Sequence, residues 1–237
     1  MVIDFHSHIL PGIDDGSRNP AESIAMLHRS AEQGIREIIL TPHFYPMHMK
    51  QERFFRRRSR SMEALLERLG DDGAVPKLRC GAEVYFYPQM SHSDALQALA
   101  IEGTRHILVE MPMGEWTDSM YRELENIYHN QGLTPIVAHV DRYLGWFRDY
   151  GIPDRLAELP VLVQANASSL LHGGKCMKLL QKHRIHLLGS DCHNLKDRKP
   201  NLGPSVERIT NNFGKEAIAW IRRNEQKVLG SGEGVKG

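Results

Sequence analysis

The chain has 237 residues, 41% of them hydrophobic and 25% charged, enough to bury a core of its own, and its formal net charge is +1. So even a balance excludes a global attraction to nucleic acid or to an anionic membrane surface and leaves such work to local patches. No apolar run approaches membrane-spanning length, no secretory signal opens the chain, and Cys80, Cys176 and Cys192 form no C-x-x-C pair, so the expected setting is cytoplasmic, without disulfides.

In chain order, the β-branched run Val2–Phe5 predicts a first strand. A helix follows, with Asn19 as its cap, Pro20 at its first position, Ile24, Leu27 and Ala31 on one apolar face and Gly34 as its stop. Further strands are expected at Glu37–Thr41, Leu78–Val84, His106–Glu110, Pro135–His139, Val161–Ala165 and His186–Gly189. Helices are expected at Glu52–Leu69, ending at Gly70, and at Asp118–Asn130, ending at Gly132. Strand and helix alternating at this pitch imply a parallel sheet with crossover helices. No linker divides the chain, so residues 1–229 form one domain with seven βα units, a closed or nearly closed barrel; an open doubly wound sheet is the alternative. The tail 230–237, GSGEGVKG, is expected to be disordered.

Residues 50–68 carry seven Lys or Arg against three Glu, concentrated in RFFRRRSR at Arg53–Arg60. A solvated helix face is the plain reading; docking of an acidic or phosphorylated partner is the sharper one.

Parallel sheets and barrels place their chemistry at the carboxyl ends of the strands. Here those ends lead to His6 and His8, to His43, Glu83, Glu110, His139 and Asn166, and to Asp191 and His193. Strand parity sends His6 and His8 to one side, and likewise Asp191 with His193. A lone histidine at a strand end is ordinarily a packing residue, and the other eight of the thirteen histidines are read so. Five of them at matching ends, interleaved with carboxylates, would leave groups unsatisfied without a cation, and mixed N/O donors fit Mn, Fe or Zn rather than calcium.

The stretch GSDCHNLKDRKP, residues 189–200, holds a competing chemistry. Cys192 and Arg198 have the C-x5-R spacing of a thiolate phosphatase. That loop needs glycines for its amides to face a phosphate, and here there is none between them, while Asp197 would face the incoming anion and Asp191 would raise the thiol. The metal reading is the stronger.

The runs HSHILPGIDDG, TPH, GAE, AHVDRY, QANASSL and GSDCHN with a following Arg198 resemble the polymerase-and-histidinol-phosphatase (PHP) superfamily. Within it they look most like the manganese-dependent tyrosine phosphatases of bacterial capsular and exopolysaccharide operons. The resemblance implies a distorted (β/α)7 TIM-like barrel holding three divalent ions. It assigns His6, His8, Glu83 and Asp191 to one metal, with Glu83 bridging to a second held by His43 and Glu110, and Asp15, His139 and His193 to the third. Asp15 rests on the resemblance alone. Arg142 and Arg198 are expected to grip the phosphate, although Val140-Asp141-Arg142 replaces the usual Pro-Glu-Arg. The implied activity is phosphomonoester hydrolysis by a hydroxide held between two metals, on phosphotyrosine of a bacterial tyrosine kinase; histidinol phosphate or another small monoester is the alternative substrate. Metal amidohydrolases share the opening H-x-H but expect histidine where this chain has Asn166, and a complete ligand set argues against a non-catalytic module. No nucleic-acid partner and no membrane insertion are implied.

Overall fold

The computed structural model describes residues 2–145 and 151–230. In chain order they form β1 (Asp4–Ser7), α1 (Pro20–Glu32), β2 (Glu37–Leu40), β3 (His43–Phe44), α2 (Gln51–Leu69), β4 (Lys77–Cys80), β5 (Glu83–Tyr85), α3 (Leu96–Leu99), β6 (His106–Glu110) and α4 (Asp118–Gln131). They continue with β7 (Thr134–Val137), α5 (Ile152–Leu156), β8 (Leu162–Asn166), α6 (Ala167–Leu171), α7 (Lys175–Gln181), β9 (Leu187–Gly189), α8 (Leu202–Phe213) and α9 (Lys215–Gly230). All strand pairs are parallel, in the orders β1-β2-β4 and β3-β5-β6-β7-β8-β9.

The expected strand Leu78–Val84 is broken in two, as β4 and β5, and β3 is added beyond the end of the expected strand Glu37–Thr41. Pro42 has no N–H to donate, so the ladder lapses between β2 and β3, and the neighbouring strand breaks beside it at Gly81 and Ala82. Gly81 N still donates to Leu40 O at 2.9 Å and Glu83 N to Pro42 O at 3.0 Å, so each pair remains one course of chain. The ring closes where β1 meets the end of β9. There Asp191 N donates to His6 O at 2.8 Å and His8 N to Cys192 O at 2.9 Å. The result is a curled parallel barrel of seven strand courses in a single domain.

Alternation along the strands separates an inner face from an outer one. Ile39, Leu108, Ile136 and Leu187 pack with Phe5 and with Val228 of α9 in a small buried cluster. Their chain neighbours Ile38, Val109, Val137 and Leu188 join the larger core shared with the helices.

The caps of α1, α2 and α4 lie where the sequence puts them. Asn19 Oδ1 accepts from Glu22 N at 3.0 Å, and Gly70 and Gly132, at φ 57° and 60°, end α2 and α4. The buried face of α1 is a correction. It comprises Ser23, Met26, Leu27 and Ser30, with Ile24 and Ala31 only half-buried. The two serines are accommodated because Ser23 Oγ donates to Ile9 O at 2.6 Å and Ser30 Oγ to Met26 O at 3.0 Å. Gly230, assigned to the disordered tail, closes α9; residues 231–237 lie outside the described residues.

Candidate metal centre

Strand register builds the centre at the carboxyl end of the barrel. His43 on β3 stands opposite Glu83 on β5, and Glu110 ends β6 beside Tyr85. His6 lies within β1 rather than after it, and His8 follows, with their Nε2 atoms 3.1 Å apart. His139 and Asp191 have left-handed backbones, φ 32° and 51°, a conformation uncommon outside glycine and concentrated at functional sites.

Glu83 is the hub. Its Oε2 lies 2.9 Å from His43 Nδ1, 3.2 Å from His6 Nε2 and 3.3 Å from His8 Nε2, and its Oε1 lies 2.8 Å from His139 Nε2. Although buried, Oε2 is in hydrogen-bonding alignment with none of them, and the buried Nε2 of His193 likewise makes no hydrogen bond. Buried ligand atoms left without a hydrogen bond, crowded among other imidazole nitrogens and carboxylate oxygens, are what a cation satisfies. The donors are imidazole nitrogens and carboxylate oxygens, a set suited to Mn, Fe or Zn. The residues fit divalent metal ions.

The cluster is electrostatically tense. Burial alone would raise Glu83, but the surrounding imidazoles, His6 foremost, hold it well below the usual carboxylate range. His139 is pushed up to about 9: burial opposes its charge, and Glu110 and Glu83 outweigh that. Asp191 is likewise held far down against its burial, chiefly by His6 and His8.

Three groups of donor atoms lie within ligand reach of one another: His6, His8 and Glu83; His43, Glu83 and Glu110; and His8, Asp15, His43 and His193. The last differs from the set expected around Asp15. Asp15 Oδ1 lies 3.5 Å from His43 Nε2 and 3.4 Å from His193 Nε2, whereas His139 sits with Glu83 and, at 3.5 Å, Glu110. The cause lies one residue earlier. Asp14 Oδ2 accepts from His43 N at 3.0 Å, which fastens the loop bearing Asp15 to β3 rather than to β7.

Both arginines lie over the cluster. Arg142 Nη2 donates to Asp191 Oδ2 at 2.6 Å and Arg198 Nη2 to Asp191 Oδ1 at 2.7 Å. The altered Val140-Asp141-Arg142 motif therefore still brings its arginine to the site, on a short 3-10 turn after His139.

Five backbone amides of the C-x5-R loop are committed within the loop itself. His193 N and Asn194 N donate to Arg198 O, at 2.8 and 3.2 Å. The N–H groups of Lys196, Asp197 and Arg198 converge on Asn194 Oδ1, at 2.8, 2.9 and 3.3 Å. Cys192 is fully buried, and burial, then the carboxylates of Asp4 and Asp191, push its thiol far up.

Several residues outside the expected ligand set support the centre. Gln164 Oε1 accepts from His139 N at 2.6 Å and lies 3.3 Å from His6 Nδ1; Asn166 Nδ2 donates to Asp191 Oδ2 at 2.8 Å. Tyr45 Oη is 3.2 Å from His43 Nδ1. Gly16 and Gly189 permit close approach, since a Cβ would strike the His8 carbonyl at one and the His6 side chain at the other. Parity from strand β8 points to Gln164 and Asn166 together; nothing local marks Asp14.

The chain is 28% identical over 244 residues to the tyrosine-protein phosphatase YwqE of Bacillus subtilis (strain 168), a match covering 96% of this chain and 91% of that protein. It is 27% identical over 247 residues to the tyrosine-protein phosphatase CpsB of Streptococcus pneumoniae, covering 96% and 98%. A solved structure from work on YwqE and CpsB, described as unique metal-dependent tyrosine phosphatases, has a TM-score of 0.83 at 25% identity and covers 97% of this chain and 95% of that one. The model of the family described as capsular polysaccharide synthesis, CpsB/CapC, matches residues 2–230, and the chain belongs to that family.

Proposed function

We infer that this chain is a metal-dependent protein-tyrosine phosphatase of capsule or exopolysaccharide synthesis, working in the cytoplasm on phosphotyrosine of a bacterial tyrosine kinase. The observation that carries the reading is Glu83, ringed by four imidazoles with Oε2 in no hydrogen bond, beneath two arginines at a barrel mouth. The names of the relatives favour phosphotyrosine over a small monoester.

Nine residues would hold three divalent ions, with manganese the expected metal. His6, His8, Glu83 and Asp191 serve one ion, Glu83, Glu110 and His139 a second, and Asp15, His43 and His193 a third. This division is supported by His43 beside Asp15 and by His139 beside Glu83 and Glu110; the assignment that resemblance implies keeps His43 with Glu83 and Glu110, a set also within ligand reach. When bound, such ions lower the pKa of water toward neutrality and neutralise phosphoryl charge. Arg142 and Arg198 orient the phosphate and offset charge on the group being transferred. Asp14, Gln164 and Asn166 hold ligands and backbone in place. Tyrosine is a fairly good leaving group, which lessens the need for a strong proton donor.

The test is metal content with activity. Purified protein should carry two to three transition-metal ions per chain, lose phosphotyrosine-peptide hydrolysis on chelation, regain it with Mn, and prefer such peptides to histidinol phosphate in kcat/KM. Full activity after complete metal removal would defeat the metal reading, and the reverse substrate order would defeat the substrate.

A further inference from the structure

Helix α2 carries a row of four cations, three of which the fold leaves without an ion pair among the described residues. Arg53, Arg56, Arg57 and Arg60 stand at i, i+3, i+4 and i+7, one stripe along the helix. Arg53, Arg56 and Arg60 are exposed, and none has an ion-pair partner among the described residues. Their neighbours are committed: Arg57 Nη2 donates to Ile13 O at 2.8 Å and Gly12 O at 3.4 Å, and Arg58 donates to Gly81 O at 2.8 Å and Ala98 O at 3.3 Å. The pairs Arg53/Arg57 and Arg56/Arg60 place like charges at i, i+4, which weakens a helix unless something anionic lies against them.

A cavity joins this stripe to the metal centre. About 390 Å³ in volume, it is lined by Asp15 and His43 of the cluster, by Ile13, Tyr45 and Met49, and by Arg57. The walls suit an aromatic ring whose phosphate reaches the cluster, and the lining passes from there onto the arginine face of α2. Met47, 82% exposed, adds an apolar contact on the same connection. Arg53 to Arg60 spans about 10 Å of helix rise, the length of roughly three extended residues. With a net charge of only +1, the chain attracts anions through this stripe at close range, within a Debye length of about 8 Å.

We propose that Arg53, Arg56 and Arg60 form a docking track for an acidic segment of polypeptide beside the phosphotyrosine, so that the enzyme selects phosphotyrosines in acidic surroundings. The inference rests on the phosphatase reading and names the substrate feature that reading leaves open.

The test uses the manganese-loaded full chain with three substrates: p-nitrophenyl phosphate, a phosphotyrosine peptide with acidic residues on both flanks, and the same peptide with neutral flanks. The wild type should favour the acidic peptide by about tenfold in kcat/KM at low salt, with the preference fading as salt rises. The R53Q/R56Q/R60Q variant should lose that preference through KM while hydrolysing p-nitrophenyl phosphate as before. The charge-reversed R53E/R56E/R60E variant should favour the neutral-flanked peptide over the acidic one. Equal rates on acidic and neutral peptides by a wild type active on p-nitrophenyl phosphate would overturn the docking track and leave the phosphatase reading intact. So would a preference that survives in both variants. No hydrolysis of any of the three substrates by the wild type would overturn the reading beneath it, and the track with it.

Discussion

Asp14 Oδ2 lies 2.8 Å from His8 Nδ1, and this contact fixes which nitrogen of the imidazole faces the metal centre. Burial would raise Asp14, yet His8 and the backbone N–H groups of His43 and Gly16 hold it at about 2. An ionised carboxylate only accepts, so Nδ1 carries the proton and Nε2 is the atom offered to a metal, turned toward Glu83 and Asp191 at 3.3 and 3.4 Å. Asp14→Asn keeps the shape and removes the charge. It should lower metal affinity by about 10- to 100-fold while the fold persists, as read by metal titration beside circular dichroism. Unchanged affinity would reduce Asp14 to a loop anchor.

The contrast between Asp14 and Asp15 shows how far the sequence carries. Strands have a fixed period, so the convergence of His6, His8, His43, Glu83, Glu110, His139, Asp191 and His193 at one barrel end was legible from parity and placement. Two adjacent aspartates in a loop have no such period, and which one faces His8 depends on a turn held by Gly16, whose closeness to the His8 backbone is a tertiary fact. The same limit explains why Asp15 stands beside His43 and not beside His139: strand ends say which residues meet, while the neighbour each meets depends on how the Asp14 loop is tied. It also explains the face of α1, where Ser23, bonded to Ile9 O outside the helix, and Ser30, bonded to Met26 O within it, take places that a count of apolar residues gives to Ile24 and Ala31.

Arg142 and Arg198 grip opposite oxygens of Asp191, so they share one anchor and reach the site from separate loops. Neither is a metal donor. Arg198→Ala and Arg142→Ala should each lower kcat by roughly 10², with bound metal retained, as for removal of one preorganised charge from a phosphoryl-transfer site. The double variant should cost less than the product of the two, because both act on one phosphate. Single-turnover kinetics with metal analysis checks this; parallel loss of metal would make the arginines structural.

Glu225 on α9 accepts from Ile3 N at 2.9 Å and is 3% exposed. Burial is the leading cause that raises it from 4.5 to about 7. With the folded value above the unfolded one, the unfolded chain loses its proton first, so stability is full below about 4.5 and falls as pH climbs to about 7. Glu225→Gln retains an acceptor for Ile3 and has no charge to bury. Its Tm should exceed that of the parent by more at pH 8 than at pH 5, and an equal difference at the two pH values would show that Glu225 folds with its carboxylate solvated.

Cys192 and Asp191 are adjacent, and substituting each in turn separates the two chemistries that residues 189–200 contain. A thiolate mechanism makes Cys192 the attacking atom, so Cys192→Ser would abolish turnover there. In the structure its thiol is sealed from solvent and held far from ionisation, and five of the loop's amides are spent on Asn194 Oδ1 and Arg198 O. Cys192→Ser should therefore cost less than about tenfold in kcat/KM per folded molecule, ~1.4 kcal/mol of transition-state stabilisation. Asp191→Ala removes the carboxylate that Arg142, Arg198 and Asn166 all contact and that lies 3.4 Å from His8, and it should cost orders of magnitude together with bound metal. Metal content is the deciding measurement: an inactive Cys192→Ser protein with its metal content intact would return the nucleophile to sulfur.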